Sequence, residues 1–252
     1  MKRHFSLIAA VLLAFSVTLS AKDHNSDPDK YFLPYDRVPN SLTILPPPPA
    51  DSSARFAYDR EQYLWGKSLR DTPRGAQAVA DATLGEQWVN EVFGEAFGYD
   101  LSHENAPRIC RLIETLRHDA GDLSTRAAKQ HYMRTRPFVR WNEPTATPSH
   151  EKFLRGNGSY PSGHTAIGWA AALVLAEINP DRATEIISRG YEFGQSRVIV
   201  GAHYQSDVDM GRVVGAAIVA ALHADKGFRR QLADAEKEFR KISKNAAKKA
   251  AK

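Results

Sequence analysis

Apolar residues recur at intervals of three and four along most of the chain, and this spacing constrains the fold more than any other feature. Clear examples are the stretches 88–97, 109–116 and 213–221. Such spacing places the apolar side chains on one face of a helix. Strand-like alternation is scarce, and residues 198–200 are the one short candidate strand. We therefore predict an all-α fold: a single compact helical bundle domain with active-site loops between helices.

Prolines mark where the predicted helices start and stop. Thr72-Pro73 combines a helix cap with a first-turn proline, and Asn179-Pro180 repeats the signal. Between residues 137 and 161 the chain carries four prolines and two glycines. This density of turn-forming residues predicts a long functional loop, after which helix resumes at Ser162.

Length and composition exclude several classes of protein. A chain of 252 residues buries one substantial core without needing disulfides or a structural metal. With 42% hydrophobic and 25% charged residues it is neither disordered, collagen-like nor a multi-span membrane protein. The single cysteine, Cys110, excludes an intramolecular disulfide framework and any cysteine-based metal site.

The net charge of +5 is concentrated at the two ends of the chain. Lys2 and Arg3 stand at the start, and residues 240–252 form a Lys-rich tail that has no acidic residue. The body between them is slightly acidic. Because binding to a phosphate backbone needs a clustered basic face on the folded domain, we expect no nucleic-acid partner.

The N-terminal residues predict export. Residues 1–21 begin with basic residues, continue with an apolar run and end in small residues, as a secretory signal peptide does. The alternative, a membrane anchor, needs about 20 apolar residues, and this run is shorter. We predict a periplasmic mature protein with an extended proline-rich arm at 22–50, a catalytic domain at 51–239 and the tail at 240–252.

Three short segments concentrate basic residues and histidines. They are KQHYMRTRP at 129–137, GSYPSGH at 158–164 and SRVIVGAHYQSD at 196–207. Each alone has an ordinary explanation as solvated charge or a surface ion pair. Together they fit one task, which is to hold a tetrahedral oxyanion while a histidine attacks it.

The anion-binding groups come from all three segments. Ser162 and Gly163 stand where a loop enters an apolar helix, so unpaired backbone N–H groups and the helix dipole favour an anion there. Lys129, Arg136 and Arg197 can surround the same anion, the arginines as planar two-pronged donors and the lysine as a point charge.

Two histidines and one aspartate supply the reacting groups. His203 and Asp207 are four residues apart, which places them on one face if the turn is helical. An aspartate that accepts the proton of one ring nitrogen leaves the other nitrogen free to attack, so His203 is the predicted nucleophile. His164 can donate a proton to the departing alkoxide.

The three segments resemble a known signature. It consists of Lys, six residues and Arg-Pro; then Pro-Ser-Gly-His; then Ser-Arg, five residues, His, three residues and Asp. Type 2 phosphatidic acid phosphatases, vanadium haloperoxidases and bacterial class A non-specific acid phosphatases share it. The chain is most similar to the last group, over about residues 45–239.

The resemblance implies an all-helical periplasmic enzyme, usually a homo-oligomer, that needs no metal or other cofactor. It also implies roles for eight residues. His203 is the nucleophile, His164 the general acid and Asp207 the orienting partner, and the phosphate ligands are Lys129, Arg136, Ser162, Gly163 and Arg197.

We therefore predict an acid phosphatase that hydrolyses small phosphomonoesters, including nucleotides, through a phosphohistidine and is inhibited by vanadate. Phosphotransferase or nucleotide diphosphohydrolase side activity is expected. The first alternative is a vanadium haloperoxidase, which bromide oxidation by vanadate-loaded protein would identify. A membrane lipid phosphatase is disfavoured because the mature chain lacks a predicted span. A periplasmic phosphate-binding protein needs neither two histidines nor a tautomer-fixing aspartate.

Overall fold

The computed structural model describes residues 30–250, so the predicted signal peptide and the start of the arm lie outside it. Its helices are α1 (Ser41–Ile44), α2 (Ala54–Ser68), α3 (Pro73–Ala80), α4 (Trp88–Phe97), α5 (Pro107–His118), α6 (Ser124–Tyr132), α7 (Pro137–Arg140), α8 (Pro148–Arg155), α9 (Gly163–Ile178), α10 (Ala183–Ile199), α11 (Gln205–Leu222) and α12 (Lys226–Ala250). A π-helical turn, Asp119–Leu123, joins α5 to α6. The described residues contain no strand, and the prediction of an all-α fold is confirmed.

Helix α9 lies at the centre of the bundle. Its neighbours are α10 and α11 on two sides, with α4, α5 and α12 completing the enclosure. The helix is apolar around most of its circumference, as expected for a helix buried on all sides. A Cβ at Gly168 would stand 2.1 Å from the ring of Phe193, so glycine is needed for α9 and α10 to pack this closely.

Local signals explain several helix boundaries. Ser162 caps α9 by accepting a hydrogen bond from the backbone N–H of Thr165 at 3.3 Å. Thr72 caps α3 in the same way, immediately before Pro73. At the end of α4, Gly98 adopts a φ of 81°, which glycine tolerates without strain.

Two local predictions are wrong. The segment 137–161 is not a continuous loop, because it contains α7 and α8. Pro137 and Pro148 are the first residues of these helices, where the fixed φ of proline favours helix and its missing N–H costs nothing. The candidate strand at 198–200 is the end of α10, whose helical hydrogen bonds continue to Val200 N–H.

The two end segments are attached to the domain. Within the predicted arm, α1 packs on α6, and Ser41 Oγ accepts a hydrogen bond from Ala128 N–H at 3.1 Å. Residues 45–50 have no helix and pass Tyr160, whose hydroxyl donates to the Pro46 carbonyl at 2.6 Å. At the other end α12 continues through residue 240, so the tail begins as part of this helix. None of the described helices has the length and apolar character needed to cross a membrane.

A buried carboxylate holds the arm at residues 32 and 33. Asp119 is fully buried in the π-helical turn, and its two oxygens accept hydrogen bonds from the backbone N–H groups of Phe32 and Leu33, both at 3.0 Å. Burial raises the pKa of Asp119 to about 6, although these bonds act in the opposite direction. This part of the arm is therefore held by a side chain more than 80 residues away in the sequence.

We expect Asp119→Ala to lower the free energy of unfolding by about 2–4 kcal/mol, because two backbone donors lose an ionisable acceptor. Urea unfolding followed by circular dichroism measures the difference. Asp71→Ala, which removes an exposed carboxylate, is the control and should have little effect. Equal loss of stability in both variants would show that Asp119 does not hold the arm.

Candidate active site

A single open cavity of about 930 Å³ collects most of the predicted site residues. One wall comes from α5, the π-helical turn and α6, and the other from α8 and the residues that follow it. The start of α9 and the end of α10 also contribute. Six of the eight predicted residues line it: Lys129, Arg136, Gly163, His164, Arg197 and His203. Asp207 and Ser162 lie behind the lining and are fully buried.

His203 is held with one nitrogen toward Asp207 and the other toward the cavity cations. Its Nδ1 lies 3.3 Å from Asp207 Oδ2, and its Nε2 lies 2.9 Å from Nη1 of Arg136. Because a carboxylate only accepts, Nδ1 carries the proton and Nε2 keeps its lone pair. Burial and the charge of Arg136 hold the pKa of His203 well below its usual value. The imidazole is therefore neutral even in mildly acidic solution.

Asp207 remains ionised despite complete burial. Burial by itself raises the pKa of Asp207, but the charge of Arg134 and hydrogen bonds from its neighbours leave that pKa well below the usual range. Its Oδ2 accepts from the Ser159 hydroxyl at 2.5 Å and from Tyr204 N–H at 2.9 Å. Its Oδ1 accepts from Nη1 of Arg134 at 2.5 Å. These contacts fix the carboxylate that orients His203.

Three of the cations that line the cavity are predicted phosphate ligands. Arg136 and Arg197 are each 3% exposed, and Lys129 donates to the Gly158 carbonyl at 2.7 Å. Within the described residues, the buried Nε and Nη1 of Arg197 have no hydrogen-bond partner. Buried donors without acceptors are costly, and an anion in the cavity removes that cost.

Burial lowers the pKa values of all three cations. Burial, followed by the charge of Arg136, lowers the pKa of Lys129 to about 7. Burial lowers the pKa of Arg197 to about 9 and that of Arg136 to about 10. A bound anion offsets the repulsion and favours the charged forms.

Ser162 and Gly163 differ in what their backbone N–H groups can offer a ligand in the cavity. The backbone N–H of Ser162 donates to the Asp207 carbonyl at 2.9 Å, so this donor is not available to a ligand as the sequence predicted. Its side chain is used as the cap of α9. Gly163 lines the cavity as the first residue of α9, where backbone N–H groups have no acceptor within the helix. A Cβ at Gly163 would stand 2.7 Å from the Gly121 carbonyl oxygen, so only glycine fits.

His164 faces the same cavity from the second residue of α9. Its ring stacks on Phe193 with centroids 4.6 Å apart, and its Nε2 lies 2.6 Å from the Asp81 carbonyl oxygen. A carbonyl only accepts, so Nε2 carries a proton and Nδ1 is left for acid–base exchange. Burial and the charge of Arg197 hold the pKa of His164 well below its usual value. An anion bound in the cavity would offset the charge of Arg197 and raise this pKa.

Sequence reasoning missed four residues that support the site. Arg134 and Ser159 belong to the segments that it singled out, but nothing in the pattern distinguished them from their neighbours. Asp59 and Asp81 lie far from these segments in sequence. Asp81 pairs with Arg189 and accepts from the Ser196 hydroxyl at 2.6 Å, which ties the residue that holds His164 to α10.

Within the described part of the chain, no three His, Cys, Asp or Glu side chains are grouped so that they could hold a metal ion. The donors that face the cavity are mainly cations, which suit a bound anion.

This arrangement suits an oxyanion bound beside the Nε2 atom of His203. Comparison with known proteins points to the same class. The family model of the PAP2 superfamily matches residues 120–231, which include all eight predicted site residues.

Three relatives extend the similarity over nearly the whole chain. A non-specific acid phosphatase of Providencia stuartii is 48% identical over 91% of this chain and 93% of its own length. A non-specific acid phosphatase of Salmonella typhimurium is 41% identical over 90% and 91% of the two chains. An acid phosphatase of Zymomonas mobilis is 38% identical over 92% and 86%. The chain belongs to the PAP2 superfamily, among the non-specific acid phosphatases.

Anion binding should depend on the protonation of Lys129. Sulfate is a suitable probe because it stays a dianion between pH 5.5 and 8.5. We expect its affinity to fall as the pH rises through about 7, where Lys129 loses its charge, and we expect proton uptake on binding above that pH. Isothermal titration calorimetry in buffers of different ionisation enthalpy measures both.

The variant Lys129→Gln should bind sulfate more weakly at pH 5.5 and lose most of the pH dependence. Lys152→Gln, which removes an exposed lysine of α8, should behave like the parent protein. A pH dependence that persists unchanged in Lys129→Gln would assign the titration to another group.

Proposed function

We propose that this acid phosphatase hydrolyses a broad range of phosphomonoesters in the periplasm through a phosphohistidine formed on Nε2 of His203. The observation that carries the proposal is the orientation of His203. Its Nδ1 faces the ionised Asp207, and its Nε2 lies beside a cavity whose lining includes Lys129, Arg197 and His164. The acid phosphatase relatives favour this chemistry over haloperoxidation.

Substrate binding prepares the nucleophile. In the structure Arg136 Nη1 donates to the lone pair of His203 Nε2 at 2.9 Å. A phosphate oxygen is a stronger acceptor for a guanidinium than a neutral imidazole is. When the phosphate enters, Arg136 turns its donor to the phosphate, and the lone pair becomes free to attack. Lys129, Arg197 and the N–H of Gly163 neutralise the equatorial oxygens.

The first chemical step transfers the phosphoryl group to the enzyme. Nε2 of His203 forms a bond to phosphorus while the bond from phosphorus to the ester oxygen breaks. His164, protonated at Nδ1, gives its proton to the departing oxygen, and the alcohol leaves. Asp207 stabilises the positive charge that develops on the ring of His203.

The second step returns the enzyme to its starting state. Neutral His164 accepts a proton from water as the water oxygen attacks phosphorus. The phosphorus–nitrogen bond breaks, its electron pair returns to Nε2, and inorganic phosphate leaves. An alcohol in place of water accepts the phosphoryl group, which gives the phosphotransferase side activity that we propose.

The protonation states of the two histidines favour acidic solution. His203 must be neutral to attack, and its lowered pKa keeps it so. His164 must be protonated to release the alcohol, and because its pKa in the free enzyme is lowered, its protonation requires acidic solution. The two roles are compatible because bound phosphate raises the pKa of His164, while Asp207 holds the proton of His203 on the other nitrogen.

Substitution of the two histidines should separate their roles. We expect His203→Ala to abolish the labelled phosphoenzyme in rapid-quench experiments, because it removes the attacking nitrogen. We expect His164→Ala to slow alkyl esters far more than nitrophenyl phosphate, because a good leaving group needs little protonation.

His131→Ala, which removes an exposed histidine of α6, serves as the matched control and should retain both activities. Labelled phosphoenzyme in His203→Ala would contradict the assignment of the nucleophile. An equal loss on both ester classes in His164→Ala would contradict the assignment of the acid.

The rest of the cavity accommodates the leaving group. Its volume of about 930 Å³ far exceeds that of a phosphate and is in the range that accepts a drug-sized molecule. Phe153 of α8 lines it and is 73% exposed, and Met133, which is 56% exposed, also lines it. An exposed ring at an open cavity suits stacking with a planar leaving group such as a nucleobase. This supports a substrate range that includes nucleotides.

We expect Phe153→Ala to raise KM for a nucleoside monophosphate by about 2–10-fold through loss of ring stacking. Glycerol phosphate, which has no ring, should be unaffected. Initial rates of phosphate release measure both. Trp65→Ala removes an exposed aromatic ring of α2 outside the cavity and should change neither value. A similar change for both substrates in Phe153→Ala would argue against stacking.

A further inference from the structure

Behind the catalytic pair lies a buried arginine that bridges two carboxylates. Arg134 has a side-chain exposure of 7%, and the carboxylates of Asp59 and Asp207 are 1% and 0% exposed. Its Nη1 donates to Asp207 Oδ1 at 2.5 Å, and its Nη2 donates to Asp59 Oδ2 at 2.8 Å. A planar guanidinium can donate to two carboxylates from fixed directions.

Because of Arg134, the two carboxylate oxygens of Asp207 have different hydrogen-bond partners. Oδ1 is committed to the guanidinium, so Oδ2 is the oxygen that meets Nδ1 of His203, the Ser159 hydroxyl and Tyr204 N–H. Rotation of the carboxylate would break all of these bonds at once. The orientation of His203 therefore depends on the guanidinium as well as on Asp207.

Asp59 in turn fixes Arg134. This residue of α2 accepts hydrogen bonds from the backbone N–H of Ser206 at 2.8 Å and from its hydroxyl at 2.6 Å. Arg134 also donates to the Ser206 hydroxyl at 2.9 Å, and its guanidinium lies 3.9 Å from the centre of the Tyr204 ring. The guanidinium is thus held from several sides by α2 and the start of α11.

Several charged and titratable groups around Asp207 bear on whether its carboxylate stays ionised in acid. Arg134 is the direct ion-pair partner, and His203 is the titratable neighbour on the cavity side. Lys129 and Arg136 act on Asp207 through their charges from the cavity, and the phenols of Tyr160 and Tyr204 lie near it. Asp59 is the carboxylate on the far side of Arg134. Of these groups, Arg134 is the cation in direct contact with Asp207.

We propose that Arg134, fixed by Asp59, is a positioning residue that keeps Asp207 ionised and correctly turned at acidic pH, and so sets the lower pH limit of the phosphatase. The inference rests on the proposed role of His203 as nucleophile. Without Arg134, the buried carboxylate would take up a proton in acid, and a protonated Asp207 no longer stabilises positive charge on His203.

The test is the pH profile of kcat/KM for a phosphomonoester between pH 3 and 7, measured as released phosphate. In Arg134→Gln we expect the acidic limb to move up by about 1–3 pH units, the usual effect of one adjacent charge on an aspartate. The activity lost should be greatest at low pH and least near pH 7. Arg134→Lys keeps the charge without the two-pronged geometry, and its limb should fall between those of Arg134→Gln and the parent protein.

Arg140→Gln is the matched control. Arg140 also contacts Tyr204, through its hydroxyl at 3.1 Å, but pairs with Asp51 rather than with Asp207. Its acidic limb should stay where it is in the parent protein. Circular dichroism and sulfate binding show whether each variant is folded.

An acidic limb that stays in place in Arg134→Gln, with an equal loss at every pH, would overturn the proposal and leave Arg134 a purely structural role. If Arg134→Gln does not fold, Arg134→Lys decides in the same way: an unmoved limb overturns the proposal. Rapid-quench trapping in the parent protein distinguishes a failure of the proposed function from a failure of the role proposed for Arg134. A parent protein that forms no phosphohistidine contradicts the proposed function, whereas a trapped phosphohistidine with an unmoved limb contradicts only the role of Arg134.

Discussion

The site depends on one buried negative charge. The carboxylate of Asp207 accepts from Arg134, Ser159 and Tyr204, and it faces His203, while its backbone carbonyl receives the N–H of Ser162 at the start of α9. Segments that follow α6, precede α9 and precede α11 therefore meet at a single residue. Desolvating a charge costs several kcal/mol unless it is paired and hydrogen-bonded, and here nearly every neighbouring group contributes to that compensation. The catalytic geometry and the packing of the helices are thus consequences of the same interaction.

The cavity, in contrast, contains buried positive charge that is less well paired. Lys129, Arg136 and Arg197 stand close together, and their lowered pKa values show that the folded protein holds positive charge where it is not well compensated. The hydrophobic core around α9 supplies the free energy that offsets this strain, since it buries large apolar side chains on all sides of the helix. A phosphate dianion supplies the missing charge. In the proposed function, the buried positive charge of the cavity is therefore what recognises the substrate, because a bound anion neutralises it.

The sequence predicted the helical architecture and most of the residues that meet in the cavity, because helical spacing and the three basic segments are local patterns. It did not predict α7 and α8, since a proline that begins a helix and a proline that belongs to a loop look alike without their neighbours. It also assigned the Ser162 N–H to the ligand, although that donor is used by Asp207. Asp59 and Asp81 could not be identified, because their importance arises from contacts with residues more than 80 positions away along the chain or on another helix.

The contact between Arg136 and His203 has a consequence for chemical selectivity. A histidine lone pair in a neutral ring is a general nucleophile that reacts with many electrophiles. Here a guanidinium donor occupies that lone pair, at 2.9 Å, as long as no anion draws the donor away. An uncharged electrophile, such as a phosphate triester, offers Arg136 no better acceptor. The donor then stays on Nε2 of His203, and the lone pair is not free to attack. In the proposed mechanism, a dianionic monoester draws the Arg136 donor away from Nε2, so the charge of the substrate decides whether the reactive atom is exposed.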